Sequence, residues 1–102
     1  MDIEQFYEED PRRQTSDEIE FGQDWTADGS RFEVAWIADT GEVYAMAEPS
    51  GRQKVTTESV TVEVLAVIQG REVITAALAG WQDSMATPNS LAWVRARVAA
   101  AS

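Results

Sequence analysis

Apolar and polar residues alternate along the middle of the chain, with the period expected of strands that bury one face. The clearest alternation lies in 31–37, where Phe32, Val34 and Trp36 share a face. A denser run of β-branched residues in 56–68 is typical of a strand covered on both faces. Two turn sequences, Asp28-Gly29 and Asp39-Thr40-Gly41, join the earlier strands. The pattern predicts a small antiparallel meander with strands at 18–22, 31–37, 43–47 and 56–68.

The N-terminal segment shows helical spacing. Ile3, Phe6 and Tyr7 fall on one face of a short acidic amphipathic helix within 1–10, and Pro11 ends it. A helix this short persists only when its apolar face is docked. Residues 11–17 are predicted to form a polar linker.

Helical spacing also predicts two helices within 72–98, separated near Pro88. Their apolar stripes are Ile74, Ala77, Leu78, Trp81 and Met85 in the first, and Leu91, Val94 and Val98 in the second. We therefore predict one α+β domain over 1–102, an antiparallel sheet of about four strands covered by two C-terminal helices.

The composition narrows the chemistry. The 102 residues include no Cys and no His, so thiolate nucleophiles, disulfides and the commonest metal ligand and general base are excluded. No catalytic residue, metal site or cofactor is predicted. No apolar segment is long enough to cross a bilayer, and no secretory leader is recognisable, so we expect a cytoplasmic protein without a membrane partner.

The net charge of −10 is unevenly distributed. Residues 1–49 contain 14 acids and three bases, whereas residues 50–102 contain four acids and five bases. An acidic surface repels nucleic acid and attracts basic proteins, so direct nucleic-acid binding is not expected.

Asp39-Thr40-Gly41 resembles the Asp-Thr-Gly motif of aspartic proteases, which act through two carboxylates that share a proton. Val67-Ile68-Gln69-Gly70-Arg71 adds a faint similarity to the apolar-apolar-Gly-Arg stretch of the retroviral members. Glu42, however, follows Gly41 where that family has a small residue. We therefore interpret the motif as a hairpin turn.

Asp24, Asp28 and Glu33 surround the first turn and raise the possibility of calcium binding. Counted from Asp24, Gly29 stands at the sixth position of an EF-hand-type loop, but Thr26 is neutral and Glu33 comes two residues early. The sequence therefore favours a hairpin flanked by hydrated acids.

The leading hypothesis is a non-enzymatic binding or regulatory protein whose acidic N-terminal half meets a basic protein. The predicted interface combines acids with aromatic residues that are suited to interface anchoring: Phe6, Tyr7, Glu8, Glu9, Asp10, Asp17, Glu18, Trp25 and Trp93. The alternative is a small-ligand-binding domain or a weak carboxylate enzyme. Its pocket would lie between sheet and C-terminal helices, lined by Trp36, Tyr44 and Met46. The oligomeric state, monomer or homodimer, stays open, and one option is self-association through an exposed strand.

Overall fold

The computed structural model describes residues 1–25, 29–48, 60–81 and 90–102. Four helices and four strands occupy these ranges. In chain order they are α1 (Ile3–Glu9), α2 (Arg12–Thr15), β1 (Glu18–Trp25), β2 (Arg31–Ile37), β3 (Glu42–Glu48), β4 (Thr61–Val67), α3 (Arg71–Ala77) and α4 (Ser90–Ala101).

The strands form one antiparallel sheet in the order β1-β2-β3-β4, which confirms the predicted α+β fold. β1 continues to Trp25, three residues beyond its predicted end, and α4 continues to Ala101. Several predicted features lie outside the described residues: the start of the first turn at 26–28, the beginning of the fourth strand at 56–59, Met85, and the helix break at Pro88.

One face of the sheet, here called the α4 face, packs against α3 and α4. Alternation along β2 directs Phe32, Val34 and Trp36 to this face, as predicted, and all three are buried. The indole Nε1 of Trp36 donates a hydrogen bond of 2.9 Å to the carbonyl of Ile68, so this buried polar atom is satisfied. Trp81 lies in the same cluster, with its ring stacked 6.1 Å from that of Phe32.

The opposite face, here called the α1 face, is covered by the N-terminal helix. The Asp2 carboxylate caps α1 by accepting from the Gln5 backbone N–H at 2.8 Å. Phe6 is fully buried against Ile37 and Tyr44, and Ile3 and Tyr7 pack around it. The docking expected from the Ile3–Phe6–Tyr7 spacing therefore takes place on the face that the C-terminal helices leave open.

Arg13 anchors α1 to the sheet from within the segment predicted as a linker. Its guanidinium forms a two-bond ion pair with Glu42 at the start of β3, at 2.9 and 2.6 Å, and both side chains are about nine-tenths buried. It also donates to the Phe6 carbonyl at 2.7 Å and lies 4.1 Å from the centre of the Phe6 ring. At the start of α2, the Asp10 carboxylate accepts a hydrogen bond of 3.0 Å from the Arg12 backbone N–H. The segment 11–17 is thus a one-turn helix fixed by charge, rather than only a polar linker.

Asp39-Thr40-Gly41 forms the tight turn between β2 and β3, as predicted. The Gly41 N–H donates to the Ile37 carbonyl at 2.8 Å, and Gly41 has a φ of +78°. A Cβ at this position would lie 2.9 Å from the Ile68 carbonyl oxygen. Glycine is therefore required at position 41 by backbone conformation and close packing, as expected of a tight turn.

Candidate binding cleft on the α1 face

α1 covers only part of its face, and a cleft of about 260 Å³ opens beside it. The lining combines carboxylates with aromatic and apolar side chains. Its residues are Tyr7, Glu18, Glu20, Glu33, Ala35, Tyr44 and Met46. The cleft is therefore acidic on one side and aromatic on the other.

Strand alternation and register bring the carboxylates together. Glu18 and Glu20 stand two residues apart on β1 and so point to the same face. Glu20 is paired with Ala35 on β2, and Glu33 lies two residues from Ala35 on the same face. Tyr44 is paired with Ala35 from the other side, which completes the row across three strands. The acids thus share one surface although they are far apart in sequence.

A β-bulge at Phe21 determines which later residues join this surface. Glu20 pairs with Ala35 and Gly22 with the adjacent Val34, so Phe21 is the extra residue. The bulge reverses the alternation. Trp25 consequently lies on the α1 face, paired with Arg31 and 62% exposed.

Asp24 confirms this reversal. Its carboxylate accepts a 2.5 Å hydrogen bond from the buried Ser90 hydroxyl of α4, which places it on the opposite face from Trp25. Without the bulge, these two side chains would exchange faces.

The electrostatics of the cleft centre on Glu18. The Tyr44 hydroxyl donates to its carboxylate, and partial burial raises the pKa of Glu18, with further contributions from Glu20 and Glu33. Among the described residues, no Arg or Lys pairs with Glu18 or Glu20. A cation that approaches these two carboxylates would therefore lower the free energy of their ionised forms.

The rim of the cleft adds two further groups. Burial raises the pKa of Tyr7, and the neighbouring Glu18 raises it further, so the phenol stays protonated and able to donate. Glu33 pairs with Arg31, whose Nε lies 3.8 Å from the Glu48 carboxylate. Glu33 is therefore partly neutralised, so the carboxylates of the cleft that have no ion pair among the described residues are those of Glu18 and Glu20.

The predicted interface residues separate into different regions of the structure. Tyr7 and Glu18 line the cleft, and Trp25 lies on the same face. Phe6 is wholly buried because it is the docking residue of α1, so its ring is not available to a partner. Trp93 is half-buried on α4, on the opposite face of the sheet, with the Arg97 guanidinium 5.5 Å from its ring. These two aromatic residues do not belong to the cleft.

The remaining predicted acids lie outside the cleft. Glu9 pairs with Arg13 at 3.2 Å. Asp10 pairs with Arg12 at 2.7 Å, and its hydrogen bonds with Arg12 lower the pKa of Asp10. Glu8 and Asp17 are exposed. The acids nearest the chain start therefore serve mainly to hold α1 and α2 or to hydrate the surface.

In the described part of the chain, the residues of the two alternative sites lie on different faces of the sheet. Of the calcium candidates, Asp24 and Glu33 lie on opposite faces of the sheet, and Asp28 is outside the described residues. Within the described residues, no group of three or more acidic side chains is arranged to hold a metal ion. Trp36 is buried on the α4 face, whereas Tyr44 and Met46 face α1. These three residues therefore do not line one pocket between sheet and helices.

Comparisons with known proteins give no family for this chain. No protein-family model matches it, and neither a curated protein nor a solved structure matches at a significant level. In the described part of the chain, no helix has the length and apolar character needed to cross a membrane.

Sequence reasoning missed several members of the cleft. The sequence places Glu20 and Glu33 on the polar side of predicted strands. Whether they lie side by side depends on the register between the strands, which cannot be predicted while the length of the connecting turn is unknown. The reversal at Phe21 had one signal, the isolated Gly22 inside a strand pattern, which is typical of a bulge.

Proposed function

We propose that this chain is a non-enzymatic protein-binding module of the cytoplasm whose cleft on the α1 face receives a basic side chain of a partner protein. The observation that carries the proposal is the pair of carboxylates on Glu18 and Glu20, which have no cation partner among the described residues and lie beside Tyr7 and Tyr44 in a concave site. A guanidinium or ammonium group would pair with the carboxylates and contact the aromatic rings.

The exposed Trp25 extends this surface. It is 62% exposed on the same face as the cleft, and exposed Trp residues are favoured anchors at protein interfaces. Burying one such side chain on binding contributes about 2 kcal/mol or more. The proposed interface thus has two parts. The charged cleft attracts the partner, and the aromatic side chain of Trp25 contributes binding energy on contact.

The first test is binding of a capped peptide with two Arg residues at i and i+2. In an extended strand these Arg residues are roughly 7 Å apart, the same spacing as the Glu18 and Glu20 backbone positions. We expect saturable binding, measured by chemical shifts of the β1 amides. Affinity should fall as salt rises, because the Debye length shortens from about 8 Å at 0.15 M to about 3 Å at 1 M.

Charge-neutral variants locate the binding site. Glu18→Gln with Glu20→Gln should weaken the peptide at least tenfold, whereas Glu8→Gln with Asp17→Asn removes the same number of charges outside the cleft and should weaken it much less. Equal losses in the two variants would assign the attraction to net charge alone and contradict the cleft. The same two variants, used as baits in a native lysate, then identify the physiological basic partner.

A further inference from the structure

The α1 face of the sheet is open along the whole length of β1. Four side chains of this strand are exposed and point to the α1 face, whereas its other four residues are half-buried. The four exposed side chains are here called the β1 strip: Glu18, Glu20, Gln23 and Trp25. α1 packs toward β3 and β4 instead, and the centre of the Phe6 ring lies 5.0 Å from that of Tyr44. A partner chain can therefore lie along the β1 strip from the cleft to Trp25.

The bulge in β1 determines the distance between the acidic end and the aromatic end of the β1 strip. Glu20 is paired with Ala35 of β2. Trp25 is paired with Arg31, which stands four residues earlier on β2, so five residues of β1 cover four steps along the sheet. At about 3.3 Å per residue, four steps correspond to roughly 13 Å. Glu18 lies two steps further from Trp25, at roughly 20 Å.

These separations match an extended peptide rather than a helical one. In an extended chain, side chains at i, i+2, i+4 and i+6 share one face, and those at i+2 and i+6 are roughly 13 Å apart. A helix needs about nine residues to cover that distance, and nine residues at about 100° each place the two side chains on opposite sides of the helix. The β1 strip therefore favours a partner segment in the extended conformation, with every second residue above one residue of the strip.

The two ends of the β1 strip differ in their chemistry. At the cleft end, Glu18 and Glu20 have no cation partner among the described residues, so they attract basic side chains. At the other end, Arg31 stands beside Trp25 and forms an ion pair with Glu33. The exposed group that this end offers to a partner is thus the indole ring of Trp25, and an apolar side chain placed on it removes both surfaces from water.

We infer that the partner protein presents an extended segment with basic residues at i and i+2 and a large apolar residue at i+6. The bases contact Glu18 and Glu20, a polar residue at i+4 lies above Gln23, and the apolar side chain packs on Trp25. The same separations apply when the segment runs in the opposite direction. This inference rests on the proposed function, since it concerns the same cleft, and it adds the conformation of the bound segment and the spacing of its contacts.

Two capped peptides of identical composition and charge test the spacing. Ser-Arg-Ser-Arg-Ser-Ser-Ser-Leu-Ser has Leu at i+6 from its first Arg, whereas Ser-Arg-Ser-Arg-Ser-Ser-Leu-Ser-Ser has Leu at i+5, on the opposite side of an extended chain. Both peptides are also made in reversed order. In one of the two orders, we expect the i+6 peptide to bind at least fivefold more tightly than its i+5 isomer in an NMR titration. It should also shift the indole N–H signal of Trp25, which the i+5 isomer should leave in place.

Two variants of the protein locate the apolar contact. Trp25→Thr removes the indole ring and keeps a residue type that suits a strand, so the preference for the i+6 peptide should disappear. Val73→Ser is the matched control, because Val73 is also an exposed apolar residue, 43% exposed, but belongs to α3 on the other side of the sheet. The preference should persist in this control.

The outcomes separate this inference from the proposed function. A preference for i+6 that is lost in Trp25→Thr and kept in Val73→Ser supports the spacing. Equal affinity of all four peptides, with binding still lost in Glu18→Gln with Glu20→Gln, overturns the spacing and leaves the basic-side-chain cleft standing. A preference that survives Trp25→Thr also overturns the spacing, because the apolar contact then lies elsewhere. Failure of every peptide to bind the wild-type protein overturns both proposals.

Discussion

The two faces of the sheet are covered to different extents. On the α4 face, α3 and α4 bury a cluster of 11 described residues, whereas on the α1 face the seven-residue α1 buries a cluster of five. Hydrophobic stabilisation grows with buried apolar area, so the α4 face contributes most of the stability. The thin cover on the α1 face leaves room for ionised side chains. Stability and the proposed binding site are thus assigned to opposite faces of one sheet.

The largest expected effect comes from truncating matched aromatic residues on the two faces. Phe32 and Phe6 are both buried, but Phe32 lies in the larger cluster and stacks on Trp81. Phe32→Ala should lower the free energy of unfolding by about 3–5 kcal/mol. Phe6→Ala should instead release α1 locally, because a short helix does not persist without docking.

Amide hydrogen exchange separates these outcomes. In Phe6→Ala, protection should be lost in α1 while β2 and β3 remain protected, whereas Phe32→Ala should weaken protection throughout. Uniform loss in both variants would show that the two faces form one cooperative unit and would remove the distinction between them.

The second effect concerns the ion pair that holds α1 over its face. Arg13→Met leaves Glu42 in a largely buried site without its partner. The free energy of unfolding, measured by chemical denaturation, should therefore fall by about 3 kcal/mol. The pair with Arg13 lowers the pKa of Glu42, so its stabilisation is present above the ordinary Glu pKa and is lost as the pH falls below it. The difference between Arg13→Met and wild type should therefore narrow in acid.

Arg12→Met is the matched control for that ion pair. Arg12 is an exposed neighbour that pairs only with Asp10 among the described residues, so its loss should leave the unfolding midpoint close to that of wild type. A similar loss in both variants would assign the effect to net charge rather than to the Arg13–Glu42 pair.

The smallest expected effect is on thermal stability and comes from Glu18, a residue of the proposed binding cleft. The pKa of Glu18 is raised by burial and by Glu20 and Glu33, so the ionised form opposes folding at neutral pH. Glu18→Gln should therefore raise the thermal midpoint at pH 7 by about 1–3 °C. The gain should disappear at a pH below the ordinary Glu pKa, where the wild-type group is protonated in both states. A lower midpoint at pH 7 would show that the hydrogen bond from Tyr44 outweighs the repulsion.

Much of the fold follows from local patterns. The alternation of Phe32, Val34 and Trp36 predicts β2 and its buried face, and the spacing of Ile3, Phe6 and Tyr7 predicts a docked helix. Side-chain periodicity determines these features because each element buries one face.

The parts that could not be predicted depend on partners distant in sequence. Arg13 appeared to belong to a linker because its partners, Glu42 and the Phe6 carbonyl, are recognisable only once β3 and α1 are in place. The meeting of Glu18 with Glu33 and Tyr44 likewise requires the register of three strands. The basic partner was predicted from the net charge. Net charge indicates which class of protein a surface attracts, but it does not locate the binding site on that surface.

The extra residue at Phe21 makes strand register, rather than residue type, the variable that defines the binding surface. If Phe21 were instead paired with Val34 and the bulge were lost, every later residue of β1 would slip by one position along β2 and its side chain would change face. Trp25 would then turn beneath α4, and the carboxylate of Asp24 would move to the side of Glu18 and Glu20. A one-residue slip in register would thus exchange an aromatic anchor for a further negative charge without any change of sequence, so the bulge determines which of two surfaces this chain presents.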